Sequence, residues 1–273
     1  MKSILEIYSL ETGTSRKLMQ TDRHIEAPNW DPDGKTLLVN GEGHLFRVPL
    51  DAPDLLPVDT GFADRCNNDH GISPDGKMIV ISHNTDDGSA VYTLPAEGGT
   101  PTPVTQLCPS YWHGWSPDGT TLAYVAKRGD GHFDVYSIPV GGGEETRLTN
   151  GEGHCDGPDY SPDGDWIWYN CARTGHAQIW KMKANGTGHV QVFADEYVNW
   201  FPHPSPTGDT VLFLAYPPKT EGHPANKDVS LRLMDTDGGN IRTVASFNGG
   251  QGTINVPCWS PDGAEFAYVR YVL

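Results

Sequence analysis

One tetrapeptide recurs six times along the chain, and this repeat limits the possible folds more than any other feature. It reads Ser-Pro-Asp-Gly in four copies and carries one substitution in the other two. The copies occupy residues 31–34, 73–76, 116–119, 161–164, 205–208 and 260–263. Their starts lie 42, 43, 45, 44 and 55 residues apart. Regular units of this size are typical of repeat architectures, in which each unit packs against its neighbours.

Each tetrapeptide is predicted to form a tight turn between two strands. Proline presets φ at the second position of the turn, and glycine supplies the positive φ that the turn requires. A β run such as residues 121–126 follows the turn, and a second strand pair follows in each unit, as in residues 134–138 and 146–149. Four strands in roughly 40 residues are the pattern of a propeller blade.

The repeat therefore predicts an all-β fold, a six-bladed β-propeller with four antiparallel strands per blade, with residues 1–273 as a single domain. Residues 1–20 supply only a third and a fourth strand, whereas residues 255–272 supply only a first and a second. We expect both termini to complete the last blade together, because this arrangement removes a free sheet edge.

Charge and cysteine content narrow the range of partners. The chain has 19 Lys and Arg against 35 Asp and Glu, a formal net charge of −16, which excludes nucleic-acid binding and disfavours an anionic membrane surface. With no apolar leader or membrane-spanning run, we expect a soluble cytoplasmic monomer, or a periplasmic one if a leader has been removed.

The five cysteines are expected to be free thiols because no Cys-x-x-Cys occurs. They are Cys66, Cys108, Cys155, Cys171 and Cys258.

The repeat also resembles a known family. Blade 3 reads Trp-Ser-Pro-Asp-Gly at 115–119, Val-Tyr at 135–136 and Arg-Leu-Thr at 147–149, and blade 6 reads Pro-Cys-Trp-Ser-Pro-Asp-Gly at 257–263. This unit is similar to the repeat of the TolB-like six-bladed β-propellers, a family of WD40-like Pro-Asp repeats. The resemblance covers essentially the whole chain and implies the propeller fold. It leaves function open, because the motif itself is structural.

Function is expected at the channel mouth where the first strands begin. The residue five positions before each turn is polar or aromatic in all six blades, and these residues are the predicted ligand-binding ring. The ring consists of Glu26, Asn68, Tyr111, Asp156, Trp200 and Asn255. Aromatic faces beside acids and amides suit a sugar-like ligand, since they stack on ring faces and pair with hydroxyl groups. Alternatively, these side chains cap strands or hold channel water.

Histidines form a second set of candidates. His70 and His113 occupy a position where four blades have proline, and His203 lies one place further along in blade 5. His24 and His154 lie further out. Imidazoles that converge can transfer protons or bind a divalent metal, and the alternative is that each one bonds to a neighbouring strand. His223, in the long insertion of blade 5, and Arg173, at the end of a second strand, are further candidates for ligand contact.

Two functions from different classes follow, and the sequence leaves open whether the protein is an enzyme. The first is a binding module that takes a sugar-like or peptide ligand at the channel mouth. The second is suggested by a resemblance to oligogalacturonate lyases, which implies metal-assisted β-elimination on a uronic acid. In that case His113 or His70 is the base, and Arg173 pairs with the carboxylate. The metal, Mn²⁺ or Ca²⁺, is bound by His203, His70 and His113. A channel that holds only water is the third possibility.

Overall fold

The computed structural model describes residues 1–129 and 131–272, and its strands form six antiparallel sheets around a central channel. The chain begins with β1 (Lys2–Ser9) and β2 (Thr14–Thr21), which pair with each other. The described residues include one short 3-10 segment, η1 (Gln251–Thr253). No helix among them has the length and apolar character that crossing a membrane requires.

Blades 1 to 5 are four-stranded sheets, each built from consecutive strands. In chain order these strands are β3 (Glu26–Trp30), β4 (Thr36–Gly41), β5 (His44–Pro49), β6 (Leu56–Pro57), β7 (Cys66–Ile72), β8 (Met78–Thr85), β9 (Gly88–Pro95), β10 (Thr102–Pro103), β11 (Ser110–Trp115), β12 (Thr121–Lys127), β13 (Phe133–Pro139), β14 (Thr146–Arg147), β15 (Cys155–Tyr160), β16 (Trp166–Cys171), β17 (Gln178–Lys183), β18 (Val190–Phe193), β19 (Val198–Pro204), β20 (Thr210–Tyr216), β21 (Lys227–Asp235) and β22 (Arg242–Gly249). The first strands of neighbouring blades contact one another around the channel. The predicted six-bladed propeller is confirmed.

The tetrapeptide forms the same hydrogen-bonded turn from blade to blade, and blade 3 shows how. Ser116 Oγ donates to the Asp118 carboxylate and accepts the N–H of Thr121, at 2.6 and 2.9 Å. The N–H of Gly119 donates to the carbonyl of Ser116, and Gly119 has a φ of 71°. Ser116, Asp118 and Gly119 therefore all take part in the hydrogen bonds of the turn itself.

The last blade is completed by both termini, as predicted. β1 pairs along its whole length with β23 (Glu265–Val272), from Lys2 opposite Val272 to Ser9 opposite Glu265. The innermost position of this blade differs from the others, because residues 255–259 form only an isolated bridge between Trp259 and Phe266 instead of the expected strand.

Side chains from other blades hold this innermost segment in place, whereas the first strands of the other blades are held by backbone pairing with their second strands. Asn29 Nδ2 donates to the carbonyl of Pro257 at 2.7 Å. His113 Nδ1 lies 3.2 Å from the carbonyl oxygen of Asn255, and His203 Nε2 lies 2.7 Å from that of Ile254. Pro257 has no N–H to give to a ladder. We call residues 254–257 the seam, because they close the ring through contacts with blades 1, 3 and 5.

The first strand of each of blades 1 to 5 has a register shift where it pairs with the second strand, and three of these shifts contain a residue with a positive φ. In blades 1, 4 and 5 the pairing of the first with the second strand shifts register just after the predicted ring position. The residue at each shift has a positive φ: 53° at Ala27, 59° at Gly157 and 54° at Phe201. Such bulges re-aim the side chains beside them, and here those side chains are the ones at the channel mouth.

The expectation of five free thiols is wrong for two cysteines. Cys155 and Cys171 lie directly opposite each other on β15 and β16, and they form a disulfide. Cys66, Cys108 and Cys258 are free. A search for short cysteine spacings does not detect this pair, because antiparallel pairing brings together residues that are 16 positions apart.

Candidate functional site at the loop mouth

The channel opens widely on the side where the first strands begin and where the loops from second to third strands lie. A cavity of about 570 Å³ fills this opening. We call it the loop mouth and define it by Glu26, Asn68, Tyr111, Asp156 and His223, all of which line it. Four of these five belong to the ring predicted five residues before the turns.

The lining of the loop mouth is acidic and aromatic. Glu26, Glu42, Asp69 and Asp156 contribute carboxylates, and among the described lining residues there is no Lys or Arg. The ring of Phe133 stands beside Tyr111, with centroids 6.3 Å apart. A surface with this composition attracts cations and accommodates neutral hydroxyl-rich molecules, but it repels polyanions.

Asp156 is the most heavily engaged carboxylate in the mouth. Its Oδ1 accepts the N–H of Gly157 at 2.8 Å and lies 3.1 Å from His113 Nε2. Its Oδ2 lies 3.2 Å from His154 Nε2 and 3.6 Å from His223 Nε2. Three imidazoles from three different parts of the chain therefore surround one carboxylate.

His113 lies between two acceptors, since its Nδ1 faces the Asn255 carbonyl while Nε2 faces Asp156. Both contacts are hydrogen bonds only if both ring nitrogens carry a proton, as in the imidazolium form. Burial opposes this charge, but the hydrogen bond and the negative charge of Asp156 outweigh it and raise the pKa of His113. Burial likewise opposes ionisation of Asp156, yet its bonds to His113 and His154 hold its pKa well below the usual range.

Asp69 lies deeper in the same cluster. It is almost fully buried, its carboxylate accepts a hydrogen bond from Asn255 Nδ2, and one of its oxygens lies 3.9 Å from His113 Nε2. Burial raises the pKa of Asp69 to about 6, with a further contribution from Asp156 and against the opposing effect of His113. The floor of the mouth therefore combines one carboxyl group whose pKa is held low by its histidine partners with one whose pKa is raised by burial.

The insertion in blade 5 contributes His223 to the loop mouth. It runs from residue 217 to 226, between β20 and β21. The His223 ring packs edge-on against Trp200, with centroids 4.4 Å apart, and against Phe201 at 5.5 Å. Trp200 is only 3% exposed. In this structure the Trp200 ring contacts His223 and His154, so it supports the wall of the mouth.

Besides Trp200, four predicted residues lie outside the lining of the loop mouth, namely Asn255, Arg173, His70 and His203. Asn255 is fully buried and bonds to Asp69 from the seam. Arg173 lies over the ring of Trp180, 4.6 Å from its centroid, and its nearest carboxylate is Glu152 at 3.6 Å. His70 is fully buried, with Nε2 3.4 Å from the carbonyl oxygen of Leu38.

The predicted metal ligands His203, His70 and His113 do not form a converging set among the described residues. His203 faces the Asp159 carboxylate at 3.0 Å and the Ile254 carbonyl at 2.7 Å, so both of its nitrogens are engaged. Instead, His154, Asp156 and His223 each offer one ligand atom within 4.8 Å of the other two.

Sequence reasoning identified only part of this cluster. His154 was among the candidate histidines. Asp69 was not a candidate, although it directly follows the predicted ring residue Asn68, so a wider window around that register would have included it. Phe133 is the first residue of β13, directly after the loop from the second to the third strand, and it lines the mouth. No repeat position marks Phe133, because the loops between second and third strands differ from blade to blade.

A β-propeller whose loop mouth holds an acidic, histidine-rich cavity is thus the class of protein that fold and site define. The family model of the TolB beta propeller domain matches residues 112–222. An uncharacterized protein of Agrobacterium fabrum is 54% identical over 274 residues, with 99% of this chain and 93% of that protein covered. A solved structure from Agrobacterium tumefaciens, named a putative TolB, has a TM-score of 0.98 and 53% identity over 100% of this chain and 99% of its own. The chain belongs to the TolB-like β-propeller family.

Two more distant proteins also match this chain. The Tol-Pal system protein TolB of Francisella tularensis is 27% identical over 258 residues, which are 89% of this chain and 56% of that protein. The chain thus spans about half the length of that relative. A solved oligogalacturonate lyase in complex with manganese has a TM-score of 0.59 at 17% identity, covering 89% of this chain and 72% of its own. That likeness shows a common fold alone.

Proposed function

We propose that this propeller is a binding module that takes a neutral, hydroxyl-rich, sugar-like ligand in the loop mouth. The observation that carries the proposal is the composition of the cavity of about 570 Å³. Tyr111 and Phe133 provide aromatic faces, and Asn68 and Glu26 provide amide and carboxylate groups around them. Aromatic rings stack on the apolar faces of sugars while amides and acids pair with their hydroxyl groups.

The lyase alternative is not supported by the arrangement of its expected residues. His113 faces two acceptors and has no free nitrogen to take a proton from a substrate. Of the other expected residues, neither His70 nor Arg173 lines the loop mouth. The carboxylate-rich lining also repels the uronic acids on which such an enzyme would act.

The cellular compartment of the protein remains a prediction, and the cysteines bear on it. Disulfides persist in oxidising surroundings and are rare in the cytoplasm. The Cys155–Cys171 bond therefore favours the periplasm over the cytoplasm among the two locations that the sequence suggested.

Thermal unfolding with a ligand panel tests the proposed function. Neutral oligosaccharides, oligouronates and peptides are compared in EDTA, so that metal ions play no part. A ligand at 100 times its Kd stabilises the folded state by about 2.7 kcal/mol, which raises the Tm by several degrees. We expect this shift with a neutral oligosaccharide and none with an oligouronate.

A matched pair of variants locates the site. Tyr111→Ala removes an aromatic face from the mouth, and we expect about tenfold weaker binding, or about 1.4 kcal/mol. Tyr197→Ala removes an exposed tyrosine that does not line the mouth and should bind as the unaltered protein does. A shift with peptides alone, or equal binding by both variants, would contradict the proposal.

A further inference from the structure

Two histidines and one aspartate meet at one side of the loop mouth. Asp156 Oδ2 lies 3.2 Å from His154 Nε2 and 3.6 Å from His223 Nε2. Two ligands of a tetrahedral ion bound at 2.0–2.1 Å are about 3.3 Å apart, so both distances match the edge of such a polyhedron. We propose that His154, Asp156 and His223 bind a divalent transition-metal ion.

The two oxygens of Asp156 have different surroundings, and this difference supports the site. Oδ1 is occupied by the N–H of Gly157 and by His113 Nε2. Oδ2 is the oxygen that faces His154 and His223. Groups that bond to the second atom of a ligand fix its orientation and tune its affinity. His113 is therefore a positioning residue, which aims Oδ2 at the ion.

Aromatic side chains hold both imidazoles in place. The His154 ring stacks on Phe133 with centroids 5.0 Å apart and meets the edge of Trp200 at 5.5 Å. The His223 ring packs against the same Trp200, which belongs to blade 5 as His223 does. Both rings are thus oriented before any ion arrives, although they come from different blades.

The site is open on its cavity side. His154, Asp156 and His223 all line the loop mouth, so three protein ligands leave further coordination positions facing the cavity. Sites with three protein ligands and an open position bind water or a ligand oxygen there. The metal site does not depend on the proposed sugar-like ligand, because its three donors all belong to the protein.

The donor set selects the kind of ion. Imidazole nitrogens suit Zn²⁺, Co²⁺, Ni²⁺ and Fe²⁺, whereas Ca²⁺ and Mg²⁺ prefer shells of oxygen atoms. We therefore expect Zn²⁺ and Co²⁺ to bind and millimolar Ca²⁺ to leave them in place. This selectivity differs from the Ca²⁺ that the sequence resemblance allowed.

Equilibrium dialysis of the metal-free full chain against Co²⁺ or Zn²⁺, without any sugar, tests the site. We expect one ion per chain and, for Co²⁺, visible absorption bands of a coordinated ion. His223→Ala removes a ligand from a loop insertion and leaves the blades intact, so it should fold and bind at least 100-fold more weakly. Asp156→Asn should lose the ion as well, with folding checked by circular dichroism.

Two controls make the outcome decisive. His176→Ala removes an exposed histidine of blade 4 that lies outside the cluster, and it should bind the ion normally. His113→Gln leaves all three ligands in place and should weaken binding 10- to 100-fold, as is typical when a supporting group is lost. Less than one ion per five chains, or equal binding by His223→Ala and His176→Ala, would overturn the proposal. Because the sugar panel is run in EDTA, neither result depends on the other.

Discussion

The two mouths of the channel are built by the same strands but differ in chemistry. At the end where the repeated turns lie, a cavity of about 370 Å³ is lined by Trp30, Trp115, Tyr160 and Trp259 and by the prolines of five turns. We call this end the turn mouth. The aromatic residues occupy one position of the repeat, directly before the turn. At the loop mouth, by contrast, the six equivalent positions hold six side chains with different environments.

This difference distinguishes the positions that the repeat keeps constant, which serve the fold, from the positions that vary between blades. Residues that recur in most units are used in turns and in contacts between blades: Ser116 bonds within its own turn, and Trp259 of blade 6 donates to the His203 carbonyl of blade 5. Residues that depart from the repeat, such as His113 in place of proline and His223 in an insertion, meet in one cluster at the loop mouth. In a repeat protein the exceptions to the repeat are therefore the better guide to function.

The largest expected effect comes from opening the ring, which would destroy both mouths together. Deleting residues 1–21 removes β1 and β2, exposes β23 and takes buried Leu5 and Ile7 out of the core. We expect loss of cooperative thermal unfolding and aggregation, measured by circular dichroism and size-exclusion chromatography.

Arg16→Ala is the control for that deletion. It removes only an exposed ion pair with Glu265, at 3.0 Å, from the same strands, and such a pair contributes about 1 kcal/mol or less. A truncated chain that melts as cooperatively as Arg16→Ala would show that the termini do not close the ring.

A smaller effect, on the pH dependence of the free energy of unfolding, is expected from His70, which lies on its strand between the two mouths. Burial lowers the pKa of His70 to about 4, against the raising effects of the Leu38 carbonyl and of Glu26. The unfolded chain therefore takes up this proton first. The contribution of His70 to stability is complete above about pH 6.5 and is lost as the pH falls through about 4, a change of about 3 kcal/mol.

Urea unfolding at pH 7, 5.5 and 4 measures this contribution. His70→Gln carries no titrating group, so its stability should fall less than that of the unaltered protein over this range. Parallel pH curves for the two proteins would mean that His70 is not the buried neutral group described here.

The smallest effect distinguishes two tryptophans of the turn mouth at the same repeat position. Trp259 Nε1 donates to the His203 carbonyl at 2.9 Å, whereas Trp115 Nε1 has no partner within the described part of the chain. Trp259→Phe should destabilise the protein by about 1 kcal/mol more than Trp115→Phe, because only it loses a hydrogen bond. Chemical denaturation of both variants checks this, and equal losses would count against it.

Much of the fold follows from local chemistry that the sequence displays. The turn needs proline, aspartate and glycine at set positions, and the unequal strand content of residues 1–20 and 255–272 indicates closure by both termini. The missing ladder at the seam was not predictable in this way. It depends on contacts of Asn29, His113 and His203, which belong to three other blades, with backbone carbonyls of the seam.

For the candidate site, register reasoning placed Glu26, Asn68, Tyr111 and Asp156 at the loop mouth. His223 was a candidate because it belongs to the blade 5 insertion, and it does line this mouth. Its contact with Asp156 could not be predicted, because the path of an insertion is not determined by the repeat. Nor could register reasoning foresee that the bulge at Phe201 turns Trp200 into the wall. Contacts that depend on loop paths and bulges arise from tertiary packing. The spacing of residues along the chain does not predict them.

The seam has a consequence for the order in which the molecule is assembled. Asn255 supports Asp69 with its amide and His113 with its carbonyl, and both of these residues precede it by more than 140 positions in the chain. As the ribosome releases the chain, blades 2 to 5 emerge while the floor of the loop mouth still lacks this support. The mouth is therefore completed only when the ring closes, so a partly made chain never presents the finished cavity.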